Sequence, residues 1–328
     1  MLSIASVRSA GGAAKYFTND DFVSGEYYTD QDAGDVSQWG GEGIKGTLLE
    51  NAGAVARDTF ESVLKGVAPG GERLEAKDNR RPGYDLTFSA PKSVSLMAYI
   101  AGDKRILGPE GAHLKAVQQT MAWVEKNLAE GRKTVDGKTT PVATGNLVYA
   151  LFQHDTSRAL DPQAHVHAIV ANMTRMPDGK WQALHADKLW SNNTVIGSIY
   201  HAYLRAEMEK LGYKVELQGK HGTFEITGVP KEVIEAFSQR REQVKRASAP
   251  FRAALRGGHP SFMSFWIDVC MIRPSSTVTP ERAMKPTVAG WRKACGAAST
   301  PARRPTETIS IRFPTNTQGT LFARLFTR

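Results

Sequence analysis

Apolar residues recur at helical spacing in two long stretches of the chain, residues 112–128 and 194–211. This spacing predicts two amphipathic helices, because positions three and four residues apart share a helix face. The predicted apolar stripe of the second helix is formed by Ile196, Ile199, Tyr203 and Met208. Gly212 follows this stretch, where a left-handed C-cap is expected.

Shorter segments alternate apolar and polar residues, or run apolar, as β-strands do. Residues 84–89 and 146–154 predict two strands, and residues 214–217 and 223–226 predict a hairpin around the glycines at 219 and 222. Helices and strands do not follow a regular βαβ alternation. The pattern therefore predicts an α+β fold, in which helices pack on one side of a sheet.

The regular pattern ends near residue 247, and the charge changes at the same place. The 328-residue chain carries a formal charge of +9. Residues 248–328 contain 12 Lys and Arg against three acids, whereas residues 1–247 contain 30 basic and 30 acidic residues. The sequence predicts a folded domain over residues 1–247 and an irregular basic Pro- and Arg-rich tail over 248–328. Two interpretations of the tail are open: a disordered arm, or a stretch translated out of frame.

Composition excludes several classes of protein. Two cysteines are too few for a disulfide scaffold and are typical of a reducing compartment, so a cytoplasmic location is expected. No apolar run approaches the ~18 residues of a membrane span, and the N-terminus does not have the pattern of a signal peptide, so we expect no membrane insertion.

Three histidines form the most informative pattern. His165 and His167 are two residues apart in a strand-like run, so their side chains share one face, and His154 ends the preceding predicted strand. An antiparallel return would bring the three imidazoles within reach of one metal ion, in a pattern that is typical of catalytic sites. The alternative is a chance pair on a solvated strand face. Other histidines are interpreted as packing or surface residues: His113, His185, His201 and His221.

Candidate nucleophiles and a candidate base lie elsewhere in the chain. Tyr16, Tyr27 and Tyr28 could attack a phosphodiester, provided that a base or cation assists a phenol whose ordinary pKa is near 10. Taken singly, they could equally be core or surface aromatic residues. Asp85 could fix a histidine tautomer or act as the base, or simply cap a turn.

These motifs in combination resemble the relaxase domain of MobF-type (TrwC/TraI-like) conjugative relaxases, which are HUH endonucleases. The matching segments are Tyr16, Tyr27-Tyr28, the run from Asp85 to Ser95, Thr144–Val148, His154–Arg158, Asp161–His167, Asn172–Thr174, Asp178–Leu184, Leu211–Tyr213 and Phe237–Arg240. The resemblance covers about residues 1–246.

The resemblance implies an antiparallel sheet that carries the histidine triad, and metal-dependent nicking of one DNA strand at a plasmid transfer origin. Tyr16 would become linked to the 5′ phosphate, and Tyr27 or Tyr28 would serve a later strand transfer. His154, His165 and His167 would hold a divalent ion, Mg or Mn by family, whereas imidazole chemistry also suits Zn, Co or Ni. Asp85 would orient a histidine or accept the phenolic proton. The implied partners are single-stranded or hairpin DNA and accessory relaxosome proteins, and we expect a monomer.

Three departures from the family pattern bear on activity. Tyr16 is followed by Phe17, whereas some members have two tyrosines there. The chain contains no phosphate-binding loop, so a helicase part is not expected, and the end of the relaxase domain does not match. DNA contacts must then come from a local basic patch, with candidates Lys15, Arg80, Arg81, Lys92 and Arg158. The alternatives are a remnant that binds origin DNA without cutting, and a generic three-histidine metallohydrolase.

Overall fold

A computed structural model describes residues 2–18, 37–74, 80–157, 161–239, 241–243 and 245–246. Residues up to Arg241 form one compact unit. In the described part of the second unit, Lys245 forms an ion pair with Glu242. The tail at 248–328 lies outside the described residues, so the boundary at 247 stays a prediction. No helix among the described residues has both the length and the apolar character needed to cross a membrane.

The centre of the compact unit is a five-stranded sheet in which all neighbouring strands are antiparallel. Its strands are β1 (Leu2–Val7), β2 (Ser37–Gly40), β3 (Gly83–Ser89), β6 (Tyr149–Thr156) and β7 (Pro162–Ala171). They lie in the order β1-β3-β7-β6-β2. The longest strand, β7, is therefore central, and β1 and β2 form the two edges.

One face of the sheet is apolar and covered by the longer helices. Alternate strand residues supply this face, and all of them are fully buried: Leu86, Phe88, Val166, Ala168 and Val170. The covering helices are α3 (Lys92–Tyr99), α4 (Ala112–Leu128) and α6 (Asn193–Lys210). The ring of Tyr200 on α6 lies 5.2 Å from that of Phe88 between centroids. These contacts confirm the predicted α+β fold with a central antiparallel sheet. The expectation that helices pack on one side holds for these three long helices, but two short helices also lie on the other face, because apolar residues of β6 and β7 form a core there as well.

The opposite face carries the histidines and is partly covered by two short helices, α1 (Ala10–Phe17) and α2 (Arg57–Leu64). Phe60 on α2 packs its ring 5.1 Å from that of Phe152 on β6. Phe17 on α1 stacks on the same Phe152 ring, also at 5.1 Å. A hydrophobic core therefore forms on this face as well, beside the histidine end of β6 and β7.

The other elements surround this framework. They are a hairpin of β4 (Glu130–Val135) and β5 (Lys138–Ala143), a short pair of β8 (Thr174–Arg175) and β9 (Trp181–Gln182), α5 (Asp187–Ser191), a hairpin of β10 (Val215–Gln218) and β11 (Thr223–Ile226), and α7 (Lys231–Ala236). The predicted hairpin at 214–226 is present. Gly212 adopts φ +93° after α6, as its predicted capping role requires.

The apolar stripe of α6 differs from the predicted one. Ile196 and Met208 are buried as predicted, but Tyr200 and Leu204 complete the buried face instead of Ile199 and Tyr203. Residues 196, 200, 204 and 208 are four apart, and this spacing follows one side of the helix. Ile199 and Tyr203 are also apolar at helical spacing, so the sequence pattern alone did not identify the buried side, which packing determines.

The start of α3 is satisfied by residues that are distant in the sequence. Pro91 is the N-cap residue and has no side-chain hydrogen bond. The backbone N–H of Ser93 instead donates to Glu225 Oε2 at 2.9 Å, and the hydroxyl of Ser93 accepts the N–H of Ile226 at 2.8 Å. A residue more than 130 positions away therefore satisfies the helix end, which local sequence patterns cannot indicate.

Candidate active site

Three imidazoles converge on the histidine face of the sheet. His154 on β6 lies directly opposite His165 on β7, and His167 is the next residue of β7 on the same face. The ring centroids are separated by 5.4 Å, 5.0 Å and 5.2 Å for the pairs 154–165, 154–167 and 165–167. One nitrogen from each ring lies within 4.8 Å of the other two. This convergence follows from antiparallel register and the period of two along a strand.

Hydrogen bonds fix the orientation of two of these rings. His165 Nδ1 lies 2.9 Å from the carbonyl oxygen of Gln163, and His167 Nδ1 lies 2.9 and 3.0 Å from the carboxylate oxygens of Asp85. A carbonyl or carboxylate oxygen only accepts, so both Nδ1 atoms donate, and in the neutral form of each ring Nε2 carries the lone pair. Such a partner on the second nitrogen is typical of histidines that bind metals.

Thr87 connects the carboxylate to the same ring. Its hydroxyl donates to Asp85 Oδ1 at 3.1 Å, and its oxygen lies 3.2 Å from His167 Nδ1. Asp85 and Thr87 are two residues apart on β3, which pairs with β7 so that Thr87 faces His167. The register of three strands therefore places the carboxylate, the hydroxyl and the imidazole in one network.

Burial favours the neutral form of two of the three imidazoles. It lowers the pKa of His154 to about 3, and the neighbouring imidazoles His167 and His165 lower it further. Burial also lowers the pKa of His165 to about 4, although its bond to the Gln163 carbonyl opposes the shift. Neutral imidazole is the form that binds a metal ion, so at pH 7 these two rings need not lose a proton first.

Tyr16 and Phe17 occupy different surroundings at the end of α1. Phe17 packs inward, with its ring centroid 5.0 Å from that of His167 and 6.0 Å from that of His154. Tyr16 is 45% exposed, and its ring centroid lies 6.3 Å from that of His154. Adjacent helix positions differ by about 100° in direction, which explains why one ring anchors the helix while the other reaches the open side of the triad.

A cavity of about 250 Å³ opens beside Tyr16, between edge strand β1 and helix α1. Its lining residues are Ala5, Ser6, Val7, Arg8, Ser9, Gly12, Ala13, Tyr16, Phe17 and Asp85. Arg8 is the one cation and Asp85 the one anion among these lining residues. Arg8 was not among the predicted site residues. It directly precedes Ser9, whose hydroxyl caps the helix that carries Tyr16.

The structure separates the basic candidates into two groups. Lys15 and Arg81 are exposed, and Arg81 lies 5.6 Å from the ring centroid of Tyr84. Arg80 donates to the carbonyls of Leu64 and Asn172, and Lys92 Nζ donates to the carbonyl of Pro162 at 2.9 Å. Burial lowers the pKa of both Arg80 and Lys92. These two side chains therefore fasten backbone segments of the fold.

Three predicted residues cannot be placed. Tyr27, Tyr28 and Arg158 lie outside the described residues, so their roles stay predictions. Phe17 and Thr87 are the residues near the triad whose contacts the sequence did not indicate. The alternation of Asp85 and Thr87 along one strand was the available signal for Thr87, because residues two apart share a face.

The antiparallel sheet, the three-histidine face and the adjacent tyrosine define the relaxase class, and comparison with known proteins supports this assignment. The TrwC relaxase family model matches residues 10–262. The chain belongs to the TrwC relaxase family, which confirms the resemblance seen in the sequence motifs.

Individual relatives show the same similarity. The multifunctional conjugation protein TraI of Escherichia coli K12 is 44% identical over 260 residues, which cover 75% of this chain and 14% of TraI. TrwC bound to a 27-mer DNA with the recognition hairpin and cleavage site is 36% identical, with TM-score 0.64, over 79% of this chain and 85% of that chain. A metal-bound TrwC–OriT DNA complex is 34% identical, with TM-score 0.67, over 86% and 93%.

Proposed function

We propose that this chain is a conjugative relaxase that nicks one DNA strand at a plasmid transfer origin. Tyr16 attacks the scissile phosphate, so that a bond forms between its phenolic oxygen and phosphorus while the bond to the 3′ oxygen breaks. The products are a 5′-phosphotyrosyl adduct and a free 3′ hydroxyl. The observation that carries this proposal is the position of an exposed tyrosine ring 6.3 Å from His154, beside imidazole nitrogens that converge within 4.8 Å.

The residues present fit a divalent metal ion. His165 and His167 present Nε2 because their Nδ1 atoms are engaged with Gln163 and Asp85, and His154 completes the set of three. When bound there, a divalent ion would polarise a phosphoryl oxygen and neutralise developing negative charge. Three imidazoles suit Mn, Zn, Co or Ni, whereas Mg prefers oxygen ligands. The metal-bound TrwC complex supports a metal at this place. The family resemblance implies Mg or Mn, and metal titration distinguishes these ions from Zn, Co and Ni.

We assign the orienting role to Asp85. Both of its oxygens lie within 3.0 Å of His167 Nδ1, and one of them also accepts the Thr87 hydroxyl. A carboxylate engaged in this way fixes the imidazole tautomer and increases its basicity as a ligand. The phenolic proton of Tyr16 then leaves to solvent, which reaches this exposed side chain.

The remaining parts of the proposal follow from the family. Tyr27 or Tyr28 would accept the transferred strand in the later recircularisation step. The DNA partner would be a single strand with an origin hairpin, with accessory relaxosome proteins nearby, and the chain would act as a monomer in the cytoplasm. Lys15 and Arg81 are the exposed candidates for phosphate contacts. The chain spans 14% of the length of TraI.

A covalent-adduct assay tests the proposal. The protein would be incubated with a divalent metal and the 27-mer that binds TrwC, or with a random pool of single-stranded hairpin DNA, and adducts would be detected on a denaturing gel. We expect an adduct with the wild type, and a loss of at least ~10⁴-fold with Tyr16→Phe, because the nucleophilic oxygen is removed. Tyr27→Phe and Tyr28→Phe serve as matched controls and should keep the first cleavage.

The outcomes distinguish the functions considered. Adduct formation by Tyr16→Phe would show that another residue is the nucleophile. Binding of hairpin DNA without an adduct would indicate a remnant that recognises the origin without cutting. Absence of both binding and adduct with every DNA would contradict the relaxase proposal and leave a generic metallohydrolase.

A further inference from the structure

The cavity between β1 and α1 has a composition that the proposed chemistry has not yet used. One face of α1 lines it with Ser9, Gly12, Ala13 and Tyr16, which follow the i, i+3, i+4, i+7 spacing of a single helix side. Three of these four residues are small, so the helix approaches β1 without filling the space. The result is a recess that begins at the candidate nucleophile.

The lining of the recess includes three residues that matter for binding a nucleotide. Tyr16 and Asp85 also belong to the surroundings of the triad, and Arg8 follows the last residue of β1. Arg8 is exposed and forms no ion pair with any residue in the described part of the chain. Its guanidinium is therefore available to an anion, and a phosphate is an anion whose geometry suits arginine.

We propose that this recess binds the nucleotide on the 3′ side of the cleavage position, and that Arg8 contacts the next phosphate along the strand. The inference rests on the proposed nicking function. A cavity of about 250 Å³ is just below the ~300–1,000 Å³ of small-molecule pockets, a size that fits one nucleotide unit better than several.

The direction of the strand follows from the geometry of the displacement. In a phosphoryl transfer the attacking and leaving oxygens are in line. The nucleotide that carries the departing 3′ oxygen must therefore lie on the side of phosphorus away from Tyr16. The nucleotide joined through the 5′ oxygen stays attached to Tyr16 after cleavage, and a recess that has Tyr16 as one wall is suited to hold it.

The first test uses two glycines of the same helix. Gly12→Ala would place a methyl group on the cavity-lining face, whereas at Gly11 a Cβ would meet Glu61 of α2 at 3.2 Å. Both changes increase helix propensity, so loss of fold would not explain a selective effect. We expect Gly12→Ala to lower kcat/KM for cleavage by roughly 10-fold or more, as one methyl group can in a fitted pocket. Gly11→Ala should cleave as the wild type does.

The second test concerns Arg8 and its phosphate. Arg8→Gln should weaken binding of the cleavable strand and reduce the slope of log K against log salt by about 0.7, the value for one single-strand phosphate contact. Arg57→Gln removes the same charge from exposed α2 and should leave the slope unchanged, and Arg8→Lys should restore most of it. Replacing that phosphate by a neutral methylphosphonate should abolish the difference between wild type and Arg8→Gln.

The outcomes separate this inference from the function on which it rests. An abasic residue on the 3′ side of the cleavage position should lower the cleavage rate of the wild type, but not that of an already impaired Gly12→Ala. If the wild type cleaves and none of these changes has a selective effect, the recess does not hold that nucleotide, although the relaxase function stands. If the wild type forms no adduct with any strand, both proposals fail together.

Discussion

Histidines shielded from water occur on both sides of the central sheet, and among the described residues only one set converges. His154 and His165 belong to the triad, whereas His113 and His201 lie in the helices that cover the apolar face. Burial lowers the pKa of His113 and His201 to about 3, as it lowers the pKa of His154. A lowered histidine pKa therefore reflects burial in this protein and does not by itself identify a metal ligand. Convergence of ring nitrogens, with Nδ1 held by an oxygen, is what distinguishes the candidate metal site.

Replacing one histidine from each set should give the largest difference in metal affinity. His165→Ala removes a proposed metal ligand, so we expect a loss of more than ~100-fold in metal affinity, with cleavage falling in parallel. His113→Leu should leave metal affinity unchanged and alter only stability, because its surroundings are apolar rings such as Tyr200. Calorimetric titration with Mn and Zn measures both. Equal loss of metal binding in the two variants would mean that convergence does not identify the site.

The Asp85 network should have the next largest effect. Asp85→Asn keeps the shape of the side chain but replaces one carboxylate oxygen by an NH₂ group. Only the remaining oxygen can then accept the hydrogen bond from His167 Nδ1. We expect metal affinity to fall by ~10–100-fold, the range for an outer partner of a ligand. Thr87→Val removes one hydrogen bond to the same carboxylate and should cost less. A larger loss for Thr87→Val than for Asp85→Asn would contradict the assigned order.

Part of this site could be predicted from sequence because it depends on local periodicity. The pattern His-x-His on β7 and the position of His154 at the end of the preceding strand required only the antiparallel return. Asp85 was selected as a partner, but the residue that it orients, His167, depends on the register between β3 and β7. Helix α1 was not predicted, since its eight residues include Gly11 and Gly12, and its stability comes from packing of Phe17 and the Ser9 cap.

The basic residues show why charge is a weak guide to DNA contacts. Sequence offered Arg80 and Lys92 as candidates, and the fold uses both to hold backbone carbonyls. Arg8 was overlooked because nothing in its neighbours indicates a cavity. The side-chain partner of a cation is decided by long-range packing, which a local pattern does not contain.

A carboxyl group on the apolar side extends the comparison to stability. Burial raises the pKa of Glu125 to about 7, although N–H groups of Leu147 and Glu42 donate to it. The folded protein then retains a proton between pH 4.5 and 7 that the unfolded chain has lost. Its contribution to the free energy of unfolding is complete below pH 4.5 and falls by up to about 3 kcal/mol as the pH rises to 7.

Glu125→Gln tests this expectation, because glutamine keeps an acceptor oxygen but does not titrate. Chemical denaturation at several pH values should show that the wild type loses stability relative to the variant from pH 5 to 7. Adduct formation at one fixed pH should be unchanged. If both proteins follow the same pH profile, the pKa of Glu125 is not raised.

Removal of the tail should have the smallest effect on cleavage. We propose that residues 248–328 are separate from the relaxase domain and translated out of frame. Their +9 charge would then bind any DNA by counterion release without reading bases. Deletion should weaken binding of the origin hairpin and of an unrelated strand by the same factor, measured by anisotropy at matched salt. A change in the ratio of the two affinities would indicate a specific DNA-binding segment. Absence of a helix-patterned continuation in both other reading frames would contradict the out-of-frame origin.

The number of residues between Ser9 and Tyr16 on α1 determines where the Tyr16 side chain lies. Tyr16 lies seven residues after Ser9, which is close to two full helical turns, so the proposed nucleophile faces the same side as the cap. A single inserted or deleted residue between them would turn the phenol by about 100° and move it by about 1.5 Å along the axis. Substitutions along this segment can therefore change cleavage gradually, whereas an insertion or deletion should abolish it. Natural variation in this family should show exchanged side chains here before it shows gaps.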